Sequence, residues 1–243
     1  AAQKMRRTVR IVADNYEFDL RPLSIHHIGR TPLLTYNDRG IHGADLHLKR
    51  LFDLAGAGLG LLLLSPLFLL ISILIVLDNP GPVFFVSKRT GRKGQVFDFY
   101  KFRTMVVNAE ALKAGLLAQN EVRGGFIFKI KQDPRITRVG RFLRKYSLDE
   151  LPQLINVLKG DMSLIGPRPF PVEEFKKFDY FHMARAQIKP GITGLAQVRG
   201  RSDLSFRHWM KWDIWYINNW SFALDLMILL WTFPAVFKGR GAY

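Results

Sequence analysis

Cysteine is absent from this 243-residue chain. Disulfide scaffolds, thiolate zinc sites and cysteine nucleophiles are therefore excluded, and a reducing compartment is permitted. Acidic residues are scarce: Asp and Glu number 20 against 36 Lys and Arg, a formal charge of +16. Low hydrophobicity is missing too, since 48% of the residues are apolar, which rules out a disordered polyelectrolyte. There is no internal repeat and no low-complexity tract. The chain opens Ala1-Ala2-Gln3 without methionine, as a fragment or a processed product would. Its length suits one well-packed domain, or one domain with a short appendage. A composition both this basic and this apolar points to a phosphate-bearing surface, either a membrane or a nucleic acid.

What is present begins with an apolar run. From Leu54 to Leu77 there are 24 residues without a charge, bracketed by Asp53 and Asp78. It lies far from the N-terminus and no small-residue cleavage pattern follows, so it is not a signal peptide. As one helix it would reach about 36 Å, enough to cross a hydrocarbon core. Ser65-Pro66 stands at its middle, where proline removes a backbone hydrogen bond and crowds the carbonyl four residues earlier. The helix should kink or break there, with the Ser65 hydroxyl available to the freed carbonyl. Lys49 and Arg50 precede the run, and Lys88, Arg89, Arg92 and Lys93 follow it. Cationic flanks stay on the cytoplasmic side. A re-entrant helix over residues 51–77, broken at Ser65-Pro66 and entering and leaving by one leaflet, satisfies both flanks. A kinked spanning helix and a buried core helix are the alternatives.

Residues 1–46 differ from the rest. Val9–Ala13 suits a strand, while Pro22, Gly29, Pro32, Gly40 and Gly43 interrupt the remainder. They read as the tail of an upstream domain or a linker. His26-His27 has no third ligand at a usable spacing and reads as a polar pair on the surface, not a metal site. Val83–Val86 and Val96–Tyr100 flank the basic, glycine-bearing stretch Arg89–Gly94, which predicts a hairpin. Helices are expected over 106–120, over 136–146 with Arg138, Arg141, Arg144 and Lys145 opposite Ile136, Phe142 and Leu143, and over 148–159 with an apolar stripe of Leu151, Leu154, Ile155 and Leu158. All five tryptophans fall late, from Trp209 to Trp231. Tryptophan favours the headgroup level, so residues 205–216 suit a helix lying on a membrane surface, with ordinary core packing as the alternative. Leu224–Trp231 is apolar but too short to span, and Pro234 should end it.

The most informative stretch is Ser147-Leu148-Asp149-Glu150-Leu151-Pro152-Gln153-Leu154. Ser147 and Glu150 fit a capping box. A chemical reading is equally open. Lys129, Lys131, Arg135, Arg138, Arg141, Arg144 and Lys145 place seven cations within 17 residues just upstream, with Asp133 the only acid among them. Adjacent carboxylates after that run are favoured in the ionised form. On a helix they point about 100° apart, so one can attack while the other holds a cation. Then Gly160–Pro169 sets Arg168 between Pro167 and Pro169. Flanking prolines hold the backbone still and suit the guanidinium to bidentate phosphate contact, although a rigid turn with a solvated Arg explains them too. Lys189–Val198 is a similarly stiff loop, with Gln197 able to pair with a base edge.

These stretches carry a resemblance. Lys49-Arg50-Leu51-Phe52-Asp53, Ser65-Pro66, Gly81–Phe85, Tyr100-Lys101-Phe102-Arg103-Thr104-Met105, Asp149-Glu150, Gly160–Pro169, Lys189–Val198 and Asn219-Trp220-Ser221 occur in the order found in the bacterial sugar transferase family, the monotopic polyprenyl-phosphate phosphoglycosyltransferases. Residues 47–237 resemble its catalytic domain, most like the large members that prime exopolysaccharide synthesis. Residues 1–46 resemble the end of the cytosolic domain that precedes it there. The resemblance implies an α/β (α+β) fold: a mostly helical catalytic domain over 47–243, with a small β-hairpin, the re-entrant membrane helix and amphipathic interfacial helices. It implies an enzyme of the inner membrane, its catalytic domain on the cytoplasmic face. Asp149 would be the nucleophile that takes a phosphosugar from a nucleoside diphosphate sugar and passes it to undecaprenyl phosphate, releasing a nucleoside monophosphate. Covalent catalysis of this kind lets two substrates use one site in turn. Glu150 would hold Mg2+. Arg144, Arg168, Pro169, Lys101, Arg103 and Gln197 would bind substrate and phosphate, and Lys49, Arg50, Ser65 and Pro66 would serve membrane anchoring. The partners implied are the nucleotide sugar, undecaprenyl phosphate and membrane lipid, without nucleic acid, and a homodimer is compatible.

Two positions depart from the family pattern. Leu195 stands where many members carry Trp, and Phe170 follows the Pro-Arg-Pro unit where some carry His. Both leave the sugar and nucleotide open, with UDP-glucose or UDP-galactose the leading expectation. A non-catalytic basic membrane protein, binding anionic lipid or nucleic acid, is the competing reading.

Overall fold

The computed structural model of the protein describes residues 23–28, 31–36, 41, 43–116, 133–177, 183–200 and 204–237. The chain divides into two compact units, Ala1–Asp38 and Arg39–Tyr243. In the first, β1 (Leu23–Ile28) and β2 (Thr31–Tyr36) pair antiparallel, with Ile28 opposite Thr31. His26 and His27 lie on β1. The strand expected at Val9–Ala13 falls outside the described residues, as do Lys129 and Lys131.

The second unit opens with α1 (Ala44–Asp78), which carries the apolar run. It stays helical through Pro66, where the sequence predicts a break. Pro66 cannot donate to the Leu62 carbonyl, and the Ser65 hydroxyl donates to that oxygen instead at 2.8 Å, as expected of it. One stripe faces the protein: Asp53, Ala57, Leu61, Leu64, Leu67, Ile71 and Ile75, spaced by three or four residues. The opposite face, with Leu59, Leu62, Leu63, Leu69 and Leu70, is exposed and apolar.

Both ends of α1 are fastened to the same body. At the start, Lys49 is buried and donates to Asp225 at 2.6 Å, and Arg50 donates to the Val157 and Leu158 carbonyls. Asp53 accepts from Ser163 Oγ and the Leu164 amide, each at 2.9 Å. At the far end, Asp78 accepts from the Val139 amide, and Arg103 donates to the Asn79 carbonyl. Lys49 and Arg50 therefore act inside the protein instead of presenting free cations to headgroups. Arg50 in particular meets carbonyls in the last turn of the helix Gln153–Lys159, where main-chain acceptors lack intrahelical partners.

Next comes the hairpin the sequence foretells, β3 (Phe84–Thr90) and β4 (Val96–Phe102), antiparallel with Phe85 opposite Lys101. Helices α2 (Ala109–Leu116) and α3 (Arg138–Lys145) follow. Thr137 caps α3 by accepting from the Gly140 amide at 3.0 Å. After a 3-10 turn at Leu148–Glu150, α4 (Gln153–Lys159) leads to β5 (Ser163–Ile165). Strand β6 (Phe170–Pro171) joins β3, so the sheet order is β4-β3-β6. After α5 (Val172–Phe175), β7 (Gly191–Thr193) pairs parallel with β5, then α6 (Leu195–Arg199), α7 (Phe206–Asn218) and α8 (Phe222–Phe237) close the unit.

Several sequence expectations change here. The helix expected over 148–159 begins as a 3-10 turn, and its buried positions are Gln153, Leu154, Asn156 and Val157, so of the expected stripe Leu154 alone is buried. The cause is Asn156, whose amide donates to the Asp98 carbonyl and accepts from the Tyr100 amide at 3.1 Å, turning a polar face inward to hold β4. The Ser147–Glu150 capping box does not form. Ser147 adopts the left-handed conformation (φ 55°) with no side-chain cap bond, and its carbonyl accepts from the Glu150 amide. Helix α8 runs on through Pro234 instead of ending there. Trp209, Trp212, Trp215 and Trp220 pack, partly buried, against the core, while Trp231 is exposed.

Candidate active site

Asp149 and Glu150 line a cavity of about 740 Å3 whose walls come from β3, β4, α3, the 3-10 turn, Arg168, β7 and α8. Local chemistry fixes the pair. The left-handed Ser147 reverses the chain after α3, so Leu148–Glu150 form a tight turn at the cavity edge and not the first turn of a regular helix. A non-glycine residue held with positive φ is strained, and such strain persists where the surroundings impose it.

Arg144 reaches the same cavity because α3 docks closely. At Gly140 a Cβ would collide with the backbone carbonyl of Thr104, so only glycine lets the helix approach. From that seat Arg144 Nε donates to Thr104 Oγ1 at 2.9 Å. Burial lowers the Arg144 pKa, and the Asp149 charge works against that shift.

Lys101 projects from β4 between the two acids, 3.3 Å from Asp149 Oδ2 and 2.9 Å from Glu150 Oε1. Arg168 closes on Glu150 as a fork, with Nη1 2.9 Å from Oε2 and Nη2 on Oε1. Burial pushes the Glu150 carboxyl up, but Arg168 and Lys101 outweigh it and hold the group well below the usual carboxylate range. Burial likewise disfavours the Arg168 charge, and Glu150 more than restores it. Among the described residues Asp149 is bonded by a single cation, through Oδ2, which leaves Oδ1 without a hydrogen bond from them.

The sequence-derived candidates divide accordingly. Asp149, Glu150, Lys101, Arg144, Arg168, Arg103 and Gln197 all line the cavity. Arg103 does so while buried and turned to the end of α1, so its guanidinium fastens a helix. Pro169 is not brought here; it lines a separate small recess with Phe170, Arg185 and Pro190. Lys49, Arg50, Ser65 and Pro66 belong to α1 and lie apart from the cavity.

Sequence reading missed the support beneath Arg168. Arg185 donates to the Arg168 carbonyl at 2.8 Å and pairs with Asp213 at 2.5 Å, its guanidinium over the Phe170 ring. Burial pushes Asp213 up to about 6, the Arg185 charge resisting. An Arg and an Asp 28 residues apart leave no spacing signal in the sequence.

Two carboxylates opening on one cavity match the way Mg2+ is shared between protein and substrate phosphates. No cluster of three or more acidic or histidine ligands occurs among the described residues, and both Glu150 oxygens already receive cations. An ion arriving with phosphates would have to replace one of those contacts at Glu150.

Comparison with known proteins adds an independent line. A family described as bacterial sugar transferase matches residues 44–239. The undecaprenyl-phosphate galactose phosphotransferase of Salmonella typhimurium is 45% identical over 203 residues, covering 81% of this chain and 42% of that protein. The exopolysaccharide production protein ExoY of Rhizobium meliloti is 44% identical over 200 residues, covering 80% of this chain and 88% of ExoY. The UDP-glucose:undecaprenyl-phosphate glucose-1-phosphate transferase of Escherichia coli K12 is 36% identical over 244 residues, covering 97% of this chain and 50% of that protein. The chain thus spans half or less of two of these relatives and most of the third.

Proposed function

This chain belongs to the bacterial sugar transferase family, and on that premise we propose that it moves a phosphosugar from a nucleoside diphosphate sugar to undecaprenyl phosphate, an opening membrane step of exopolysaccharide synthesis. The observation carrying this reading is Asp149, set in a cavity with Lys101, Arg144 and Arg168. In a first step an Asp149 oxygen attacks the sugar-linked phosphorus. The bond from that phosphorus to the bridging oxygen breaks, and its electron pair leaves with the nucleoside monophosphate. In a second step a phosphate oxygen of undecaprenyl phosphate attacks the same phosphorus and expels the Asp149 carboxylate, giving undecaprenyl diphosphate sugar. Both steps demand charge neutralisation around the transferred phosphoryl group, which Lys101, Arg144 and Arg168 provide. Glu150 would hold Mg2+ against substrate phosphates; when bound, the ion supplies further neutralisation of phosphate charge. The names of the relatives favour a UDP-linked glucose or galactose.

The membrane enters through α1. Both its ends bond one folded body, which supports a reading in which the two flanks share one side of a hydrocarbon core about 30 Å thick. We place the catalytic unit at the cytoplasmic face, with the exposed leucine face of α1 dipping into the near leaflet and returning to it. The apolar cavity residues Pro82, Phe84, Phe85, Phe233 and Val236 offer the lipid an approach.

The test is direct. Purified protein with Mg2+, undecaprenyl phosphate and UDP-glucose or UDP-galactose releases UMP and forms a lipid-linked product. No UMP from any member of a UDP-sugar panel would overturn the reading and favour a non-catalytic lipid-binding protein.

A further inference from the structure

The cavity holds more unbonded polar atoms than the two acids and their cations account for. Arg89 Nε, Ser87 Oγ, Trp209 Nε1 and Gln197 Oε1 are each buried without a hydrogen-bond partner among the described residues. All four side chains line the same cavity as Asp149. Buried polar groups are nearly always bonded, so four in one cavity mark where a polar ligand belongs.

Strand β3 orders this wall. Alternate residues share a face of a strand, so Phe85, Ser87 and Arg89 form one row. Phe85 lies opposite Lys101, which reaches both acids, and Arg89 lies opposite Phe97. The row therefore runs from an apolar residue at the level of Asp149 to a cation four residues, or about 13 Å, further along. Arg168 is bonded to Glu150 and close enough for its charge to act on Arg89.

Arg89 differs from the other cations of the cavity. Lys101 and Arg168 pair with carboxylates, and Arg144 bonds Thr104 beside Asp149. The Arg89 guanidinium stacks on the Phe99 ring, 5.3 Å from its centroid, and bonds no carboxylate among the described residues. Burial and the Arg168 charge pull it down to about 10, and Glu174 and Glu150 counter only through space. A half-buried cation that feels a second cation and has no directly bonded counter-charge among the described residues is suited to receive an anion.

We propose that Ser87, Arg89 and Trp209 form the nucleotide end of the cavity, with Arg89 binding the phosphate of the departing nucleoside monophosphate. This rests on the transferase reading above. The oxygen that leaves with that phosphate gains negative charge as its bond to the sugar-linked phosphorus breaks, and Arg89 meets that charge. Ser87 and the Trp209 N–H donate to oxygens of the same nucleotide. Polarity assigns this end to the nucleotide, because the apolar end of the row and the Phe233 and Val236 wall suit the isoprenoid.

The experiment measures UMP binding to the full chain in lipid nanodiscs by calorimetry, alongside the KM for undecaprenyl phosphate in the second half-reaction. Arg89→Ala raises the UMP Kd about tenfold or more, the loss expected of one charge-assisted contact. Arg89→Lys recovers part of it and Arg89→Gln does not, which separates charge from folding. Trp209→Phe weakens UMP by roughly threefold, the loss of one neutral hydrogen bond. The rise in UMP Kd exceeds any rise in the lipid KM. Unchanged UMP affinity in Arg89→Ala and Arg89→Gln overturns the inference, and equal losses for UMP and lipid overturn its nucleotide assignment. Wild-type protein that binds UMP but releases none from any UDP-sugar overturns the transferase reading separately.

Discussion

Arg185 donates to the main-chain carbonyl of Arg168 at 2.8 Å, so the guanidinium that grips Glu150 is held from behind by a second one. That second guanidinium is anchored by Asp213, buried on α7. Position at the cavity thus depends on a pair that touches neither acid.

Removing the anchor should cost turnover more than binding. Asp213→Asn is expected to lower kcat by roughly 10- to 100-fold, since small misplacements near a reacting centre are that costly. Steady-state kinetics with UDP-sugar check it; an unchanged kcat removes Asp213 from the positioning role.

The same pair sets a pH dependence. Asp213 titrates at about 6 in the folded chain against an ordinary 3.8. Between those values the folded state holds more protons than the unfolded state. The stability this group contributes is therefore complete below about 3.8 and lost as pH rises through about 6. Activity moves the other way: below pH 6 a neutral Asp213 no longer anchors the charge of Arg185, and kcat falls. Asp213→Asn should flatten that acid limb. Profiles of kcat from pH 5 to 8, with melting curves, separate the two effects.

Asp149 carries the covalent step, so Asp149→Asn should reduce turnover by at least about 1,000-fold, as loss of a nucleophile does. With lipid withheld, intact wild-type protein should gain the mass of one phosphosugar and Asp149→Asn should not. A missing adduct together with ternary-complex kinetics would point to direct transfer.

Gly140 is where α3 meets the Thr104 backbone. Gly140→Ala forces the helix away and should destabilise by about 2–3 kcal/mol, lowering the melting temperature by roughly 4–10 °C. Because Arg144 rides on the same helix, activity should fall further than stability. A wild-type melting curve would show that the contact yields freely.

Topology is open to labelling, and the natural lack of cysteine gives a clean background. His47→Cys and Asn79→Cys flank the apolar run and should both react with an impermeant thiol reagent from the same side. Reaction from opposite sides would restore a spanning helix.

Much of the molecule is written locally. The apolar run, the β3–β4 hairpin, the basic α3 and the Asp149-Glu150 pair beside cations all follow from periodicity, turn residues and charge order, which act between near neighbours. The family motifs follow from the sequence alone too. What the chain could not declare is which polar groups meet across long separations. Lys49 looks like a membrane-facing cation until Asp225 is brought to it, and Arg103 like a phosphate ligand until the end of α1 reaches its guanidinium. Arg185 and Asp213 carry no pattern at all, and Ser147 reads as a cap until its left-handed backbone turns Asp149 to the cavity edge. The reason is physical: periodicity reports which face is apolar, whereas a buried charge is defined by its partner, and only the folded chain chooses partners.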